Sequence, residues 1–103
     1  NSWLEFTFAD QQAFAITEYT FTSANDSPGR DPKEWTLSGS NDGVTWQALD
    51  FQSGQNFSKR YEKKRYSFDN EIPYAFYRFE IENHGENITQ LAEVELIEYT
   101  SQE

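Results

Sequence analysis

The sequence predicts an all-β protein, specifically an antiparallel β-sandwich, and three observations support this fold class. Apolar and aromatic residues alternate with polar ones in several short segments, as expected of strands with one buried face. Turn-forming residues such as Asn41, Asp42 and Gly43 separate these segments. No stretch of ten residues keeps the 3.6-residue period of an amphipathic helix. Since 103 residues suffice for one modest core, we expect a single domain over residues 1–103.

The N-terminal segments show this alternation with one irregularity. WLEFTF (3–8) places its leucine and both phenylalanines on one face, and ADQQA (9–13) has room for one helical turn. In FAITEYTF (14–21), Tyr19 and the last phenylalanine share a face, but Ile16 is out of phase with them, which indicates a β-bulge. EWTLSG (34–39) places its tryptophan and leucine on one side.

The remaining segments follow the same rule. VTWQAL (44–49) aligns its valine, tryptophan and alanine, and RYEKKRYSF (60–68) points its last tyrosine and phenylalanine inward. YAFYRFEI (74–81) aligns Tyr77 with the following phenylalanine and isoleucine. LAEVELIEY (91–99) separates apolar residues on one face from glutamates on the other, so each segment is expected to bury one face.

Two tryptophans, Trp35 and Trp46, lie on either side of the turn formed by Asn41, Asp42 and Gly43. Gly43 tolerates a positive φ, and Asp42 can close the bend through its side chain. Because both tryptophans belong to alternating segments, we expect both in the core, which leaves ligand recognition to the loops.

Composition narrows the functional classes. Aromatic residues make up 17% of the chain and can supply a core from few side chains. A formal net charge of -10 repels phosphate backbones and anionic lipids, so we expect neither nucleic acid nor membrane partners. The chain has no cysteine, no HExxH sequence, no nucleophile elbow and no phosphate-binding glycine loop, so we expect no enzymatic activity.

Four stretches resemble the discoidin-like domain, also called coagulation factor 5/8 type C: residues 23–50, which include GSNDGVTW, then 57–70, 77–81, and the closing QLAEVEL of 90–96. The resemblance runs from about Trp3 to Ile97. It implies a galactose-binding-like jelly roll. The resemblance to bacterial relatives implies a non-catalytic carbohydrate-binding module that binds a mono- or oligosaccharide and tethers a larger secreted or surface glycan-active protein to its substrate. An extracellular, periplasmic or cell-surface location follows from the same resemblance.

Family domains usually begin with a further N-terminal segment, which we expect this domain to lack. In many members that segment supplies ligands of a calcium site, and an acidic residue of the last strand completes it. Glu93 matches this acidic position, so the resemblance implies calcium as a candidate cofactor there. Because a hard cation takes six to eight oxygen ligands, a solvated or hydrogen-bonded Glu93 is the alternative.

In the resembling modules the sugar lies on loops at one end of the sandwich, where polar side chains bind hydroxyls and one ring stacks on the sugar. The candidate residues here are Asn25, Asp26, Arg30, Phe57, His84 and Asn87. For each group a structural alternative stands. Arg30 could pair with an acid to pin its loop, Phe57 could plug the end of the core, and His84 could be merely solvated.

An alternative function from another class keeps the same fold. A sandwich that has lost its sugar site would act as a structural or protein-interaction domain between other domains of a larger protein.

Overall fold

A computed structural model describes residues 2–24, 28–85, 89 and 91–98 of the chain. Within those ranges the backbone forms seven strands: β1 (Ser2–Thr7), β2 (Ile16–Ser23), β3 (Pro32–Ser40), β4 (Gln47–Gln52), β5 (Lys63–Ser67), β6 (Phe76–Asn83) and β7 (Leu91–Glu98). Two single 3-10 turns accompany them, at Ala9–Gln11 and Pro28–Arg30. The helical turn expected near residues 9–13 is therefore present.

The strands form two antiparallel sheets. One sheet has four strands in the order β1-β6-β3-β4, and the other has three in the order β5-β2-β7. Their apolar faces pack together, which confirms the predicted all-β sandwich. The bulge expected near Ile16 is confirmed as well, because the pairing of β2 with β7 shifts register between Ile16 and Glu18.

The space between the sheets is filled mainly by aromatic rings. Phe21 of β2 lies 4.7 Å from Trp35 of β3, measured between ring centroids, and Tyr19 lies 5.0 Å from Phe79. The alternation placed these residues correctly. The buried hydrophobic residues are Ile16, Tyr19, Phe21, Trp35, Leu37, Phe57, Tyr74, Tyr77, Phe79 and Ile81.

A chain of hydrogen bonds crosses this apolar interior. The indole Nε1 of Trp35 donates to the hydroxyl of Tyr19 at 2.7 Å, and that hydroxyl donates to Oδ2 of Asp50 at 2.6 Å. Burial, followed by the bond to Asp50, raises the pKa of Tyr19, so the phenol stays protonated and remains a donor. These bonds link β3, β2 and β4 across the two sheets.

Trp46 does not lie in the core, so its predicted burial is wrong, whereas Trp35 is 1% exposed as expected. The cause is the turn. Oδ1 of Asp42 accepts hydrogen bonds from the backbone N–H groups of Val44 and Thr45, both at 2.8 Å, and these bonds lower the pKa of Asp42. Residues 41–45 therefore form an extended bend instead of a strand, and β4 begins only at Gln47.

Connectivity brings three loops to the same end of the sandwich, because successive antiparallel strands exit at alternate ends. These loops are the connections β2–β3, β4–β5 and β6–β7, and we call this side of the molecule the loop end. Each of the six predicted sugar-binding residues belongs to one of these three connections. Within the described part of the chain, no helix has the length and apolar character needed to cross a membrane.

Candidate functional site

The connection between β4 and β5, residues 53–62, lies at the centre of the loop end. Arg60 reaches one neighbouring loop, since its Nη1 donates to the carbonyl oxygen of Ala24 at 3.1 Å. Gln55 reaches the other, since its carbonyl oxygen lies 2.8 Å from Nε2 of His84. The β4–β5 connection thus contacts both of the other connections at the loop end.

A buried ion pair holds this central loop to the start of β3. Arg60 donates from Nη1 and Nη2 to the two carboxylate oxygens of Asp31, at 3.0 and 2.5 Å. The Asp31 side chain is 2% exposed, and its hydrogen bond raises the pKa of Arg60. A two-pronged contact of this kind fixes orientation as well as distance. It therefore positions the segment that follows Arg60.

Glu62 closes that segment into a tight turn. Its Oε1 accepts hydrogen bonds from the backbone N–H groups of Ser58 at 2.7 Å and Lys59 at 3.3 Å. Desolvation raises the pKa of Glu62, but these two bonds, the hydrogen bond from the Ser58 hydroxyl and the charge of Lys64 together outweigh it, so the net pKa is lower than usual. The backbone N–H of Glu62 also donates to Oγ of Ser23 at 2.9 Å, so the turn is tied to the end of β2.

Tyr61 is presented to solvent at the tip of this turn. Its φ of 57° lies in the left-handed region, which is uncommon for bulky residues, and 59% of the residue is exposed. Both neighbours, Arg60 and Glu62, are tied down, so the ring stands on a fixed backbone. Sequence reasoning missed Tyr61 because RYEKKRYSF was interpreted as one strand, whereas β5 begins only at Lys63.

Phe57, by contrast, is 3% exposed and belongs to the core. The Nζ atom of Lys64 lies 5.0 Å from the centroid of its ring. The expectation that Phe57 stacks on a sugar is therefore wrong, and the alternative, a ring that plugs the end of the core, is what the structure shows. The physical reason is that an apolar ring beside an open sandwich end gains more by entering the core than by staying in water.

Of the other five predicted sugar-binding residues, the structure describes two, Arg30 and His84. Arg30 is half-buried and ends the 3-10 turn before β3, and the residue that grips Asp31 is Arg60. Asn25, Asp26 and Asn87 lie outside the described residues.

His84 is exposed at the start of the β6–β7 connection. Because a carbonyl oxygen only accepts hydrogen bonds, the contact with Gln55 requires the proton on Nε2. The backbone N–H of Gln55 in turn donates to the carbonyl oxygen of Lys33 at 2.9 Å, so the group that orients His84 is itself held by β3. The imidazole is thus oriented, and Nδ1 is left as its second polar atom.

Glu93 is exposed on β7 and borders a cavity of about 840 Å³ between β7 and β1. Among the residues that the structure describes, no group of three or more histidine, aspartate or glutamate side chains is arranged to hold a metal ion. Calcium binding by Glu93 therefore stays a hypothesis taken from the family resemblance.

Comparison with known proteins places this geometry in context. No protein-family model matches the chain. Over 65 residues, 62% of its length, the chain is 45% identical to a peptide-N(4)-(N-acetyl-β-glucosaminyl)asparagine amidase of Arabidopsis thaliana, of which the match spans only 9%.

A solved structure gives the second comparison. CpGH89CBM32-5 from Clostridium perfringens, in complex with GalNAc-β-1,3-galactose, superposes with a TM-score of 0.64 at 14% identity. The match covers 82% of this chain and 58% of that one, so both comparison proteins extend well beyond the matched region. At this identity the likeness concerns the fold. The chain is an all-β sandwich of the galactose-binding-like fold.

Proposed function

We propose that this chain is a non-catalytic carbohydrate-binding module of a longer glycan-active protein, and that its sugar site is the loop end. The observation that carries the proposal is the exposed Tyr61 ring on a turn fixed by Arg60 and Glu62. A sugar ring has one apolar face that packs on an aromatic ring, and a ring held in place before binding loses little entropy when the sugar arrives.

The polar part of the site comes from the two flanking loops. His84 offers an oriented imidazole, and Arg30 ends the 3-10 turn that precedes β3. Asn25, Asp26 and Asn87 complete the proposed set as hydrogen-bonding partners of the sugar hydroxyls. A small, open contact of this kind implies weak binding, with a Kd of about tens of micromolar to millimolar.

The comparisons support a role in glycan recognition. The structural neighbour was solved with a disaccharide, and the amidase is named for a sugar-linked asparagine. We infer that the module holds its parent protein at a glycan-bearing substrate, in an extracellular, periplasmic or cell-surface setting.

A Tyr61→Ala variant tests the site. The probes are GalNAc-β-1,3-galactose and N-acetylglucosaminyl-asparagine, titrated while backbone amide NMR shifts are followed. We expect shifts in residues 29–30, 55–62 and 84–85 of the wild type. In the variant the Kd should be weaker by about tenfold or more, because stacking is lost. Val44→Ala is the matched control, since Val44 is 81% exposed at the opposite end of the sandwich.

Two results would contradict the proposal. If no glycan in a broad panel moves these signals, the chain is a structural or protein-interaction domain without a sugar site. If glycans bind but Tyr61→Ala and Val44→Ala have equal affinity, the site lies elsewhere on the molecule.

A further inference from the structure

The outer face of the four-stranded sheet carries two large exposed rings. Trp3 on β1 is 62% exposed, and Phe51 on β4 is 58% exposed. Strand register aligns them, because Trp3 pairs with Glu80, Glu80 pairs with Thr36, and Thr36 pairs with Phe51. These four paired residues cross all four strands of the sheet. The backbones that bear the two rings are therefore three strand spacings apart, about 14 Å. We call this surface the outer face.

The indole of Trp3 is held in place. The guanidinium carbon of Arg78 lies 4.4 Å from the centroid of Trp3 and 4.0 Å from that of Trp46, so the cation is stacked between the two tryptophans. Trp46 itself packs edge-on against Phe76, with centroids 6.5 Å apart. Arg78 is only 15% exposed at its side chain. Trp3 is thus an exposed but positioned ring, as found at the energetic centres of protein interfaces.

Three glutamates lie on the outer face between the two rings. Glu34 and Glu82 are directly opposite one another on neighbouring strands, and Glu80 is two residues from Glu82 on the same face. Like charges at directly opposed positions repel. Among the described residues Glu34 and Glu82 form no ion pair, while Glu80 lies 3.6 Å from Nη2 of Arg78. A shallow cavity of about 170 Å³ is bordered by all three glutamates and both exposed rings.

We propose that the outer face docks a basic polypeptide segment in which lysine or arginine side chains alternate with apolar ones. The basic groups would lie between Glu34 and Glu82 and relieve their repulsion, while the apolar groups would pack on Trp3 and Phe51. An extended segment of about five residues spans the distance between the rings. A neutral glycan would cover the rings but leave the repulsion in place, so charge complementarity favours the basic partner.

The test uses an eight-residue peptide of alternating lysine and leucine, labelled with fluorescein, and measures its Kd by fluorescence anisotropy. We expect NMR shifts centred on the Trp3 indole and the Phe51 amide, and a Kd that weakens as salt is raised from about 0.05 to 0.5 M. A double variant, Glu34→Gln with Glu82→Gln, keeps the side-chain shapes and should weaken binding at least about tenfold. Trp3→Ala should weaken it as well.

The matched control is Glu71→Gln with Glu98→Gln, which removes the same charge from exposed positions elsewhere. If this control weakens binding as much as the first pair, the peptide responds only to net charge and the proposal is wrong. It is equally wrong if the peptide does not bind, or if GalNAc-β-1,3-galactose and not the peptide moves the Trp3 signal. Because Tyr61→Ala should leave peptide binding intact, this proposal and the sugar site can fail separately.

Discussion

The interior between the sheets and the central loop at residues 53–62 are stabilised by different kinds of contact. In the interior, Trp35 and Tyr19 are fixed by ring contacts with residues of the facing sheet and by one chain of hydrogen bonds. The loop has one buried ring, Phe57, and is otherwise held by polar contacts to Asp31, Ser23 and Lys33. The interior thus supplies stability, whereas the polar contacts of the loop position Tyr61 without burying it.

The largest expected effect is on the interior. Trp35→Ala removes a fully buried ring and leaves the Tyr19 hydroxyl without its donor, so the free energy of unfolding should fall by about 3–5 kcal/mol. Trp3→Ala removes an exposed ring and should cost less than about 1 kcal/mol. Urea denaturation followed by circular dichroism measures both. Equal losses would show that the buried ring layer does not dominate stability.

A smaller and local effect is expected when the loop is released. Asp31→Asn keeps the shape of the side chain but removes the charge that Arg60 grips. Amide hydrogen exchange of residues 55–62 should accelerate by about tenfold, while exchange of residues 19–21 in β2 should change little. An equal acceleration in both segments would mean that loop and core open together, and the contrast between them would be lost.

The smallest effect is the dependence of the loop on pH. Because the pKa of Glu62 is lowered in the folded protein, its contribution to stability is present above its unfolded value of about 4.5 and is lost as pH falls below that value. Glu62→Gln removes this contribution at every pH. The difference in melting temperature between wild type and variant should therefore shrink from pH 7 to pH 4, and a difference that stays constant would exclude this role of the carboxylate.

Alternation in the sequence predicted the interior well, because burial of one strand face leaves a mark on every second residue. Tyr77, Phe79 and Ile81 are all buried as expected. The same reasoning failed where side chains redirect the backbone. The bonds from Val44 and Thr45 to Asp42 delay β4 and place Trp46 on the outer face. Such bonds depend on individual side chains and produce no periodic pattern in the sequence.

The central loop was less predictable still. Its conformation depends on the ion pair between Arg60 and Asp31. Because these residues are distant in sequence, the local sequence pattern does not predict the pair. In this conformation Phe57 is buried and Tyr61 is the exposed ring of the segment. The loops that carry the candidate site could be named from the sequence, but the ring within them could not.

The left-handed backbone at Tyr61 has a consequence for stability and, under the proposed function, for glycan binding. A side chain in this conformation costs about 1–2 kcal/mol relative to glycine. Engineering guided by backbone geometry alone would place glycine there and obtain a hardier protein without its exposed ring. Under the proposed function, stability would therefore favour glycine at this position, whereas glycan affinity would favour tyrosine.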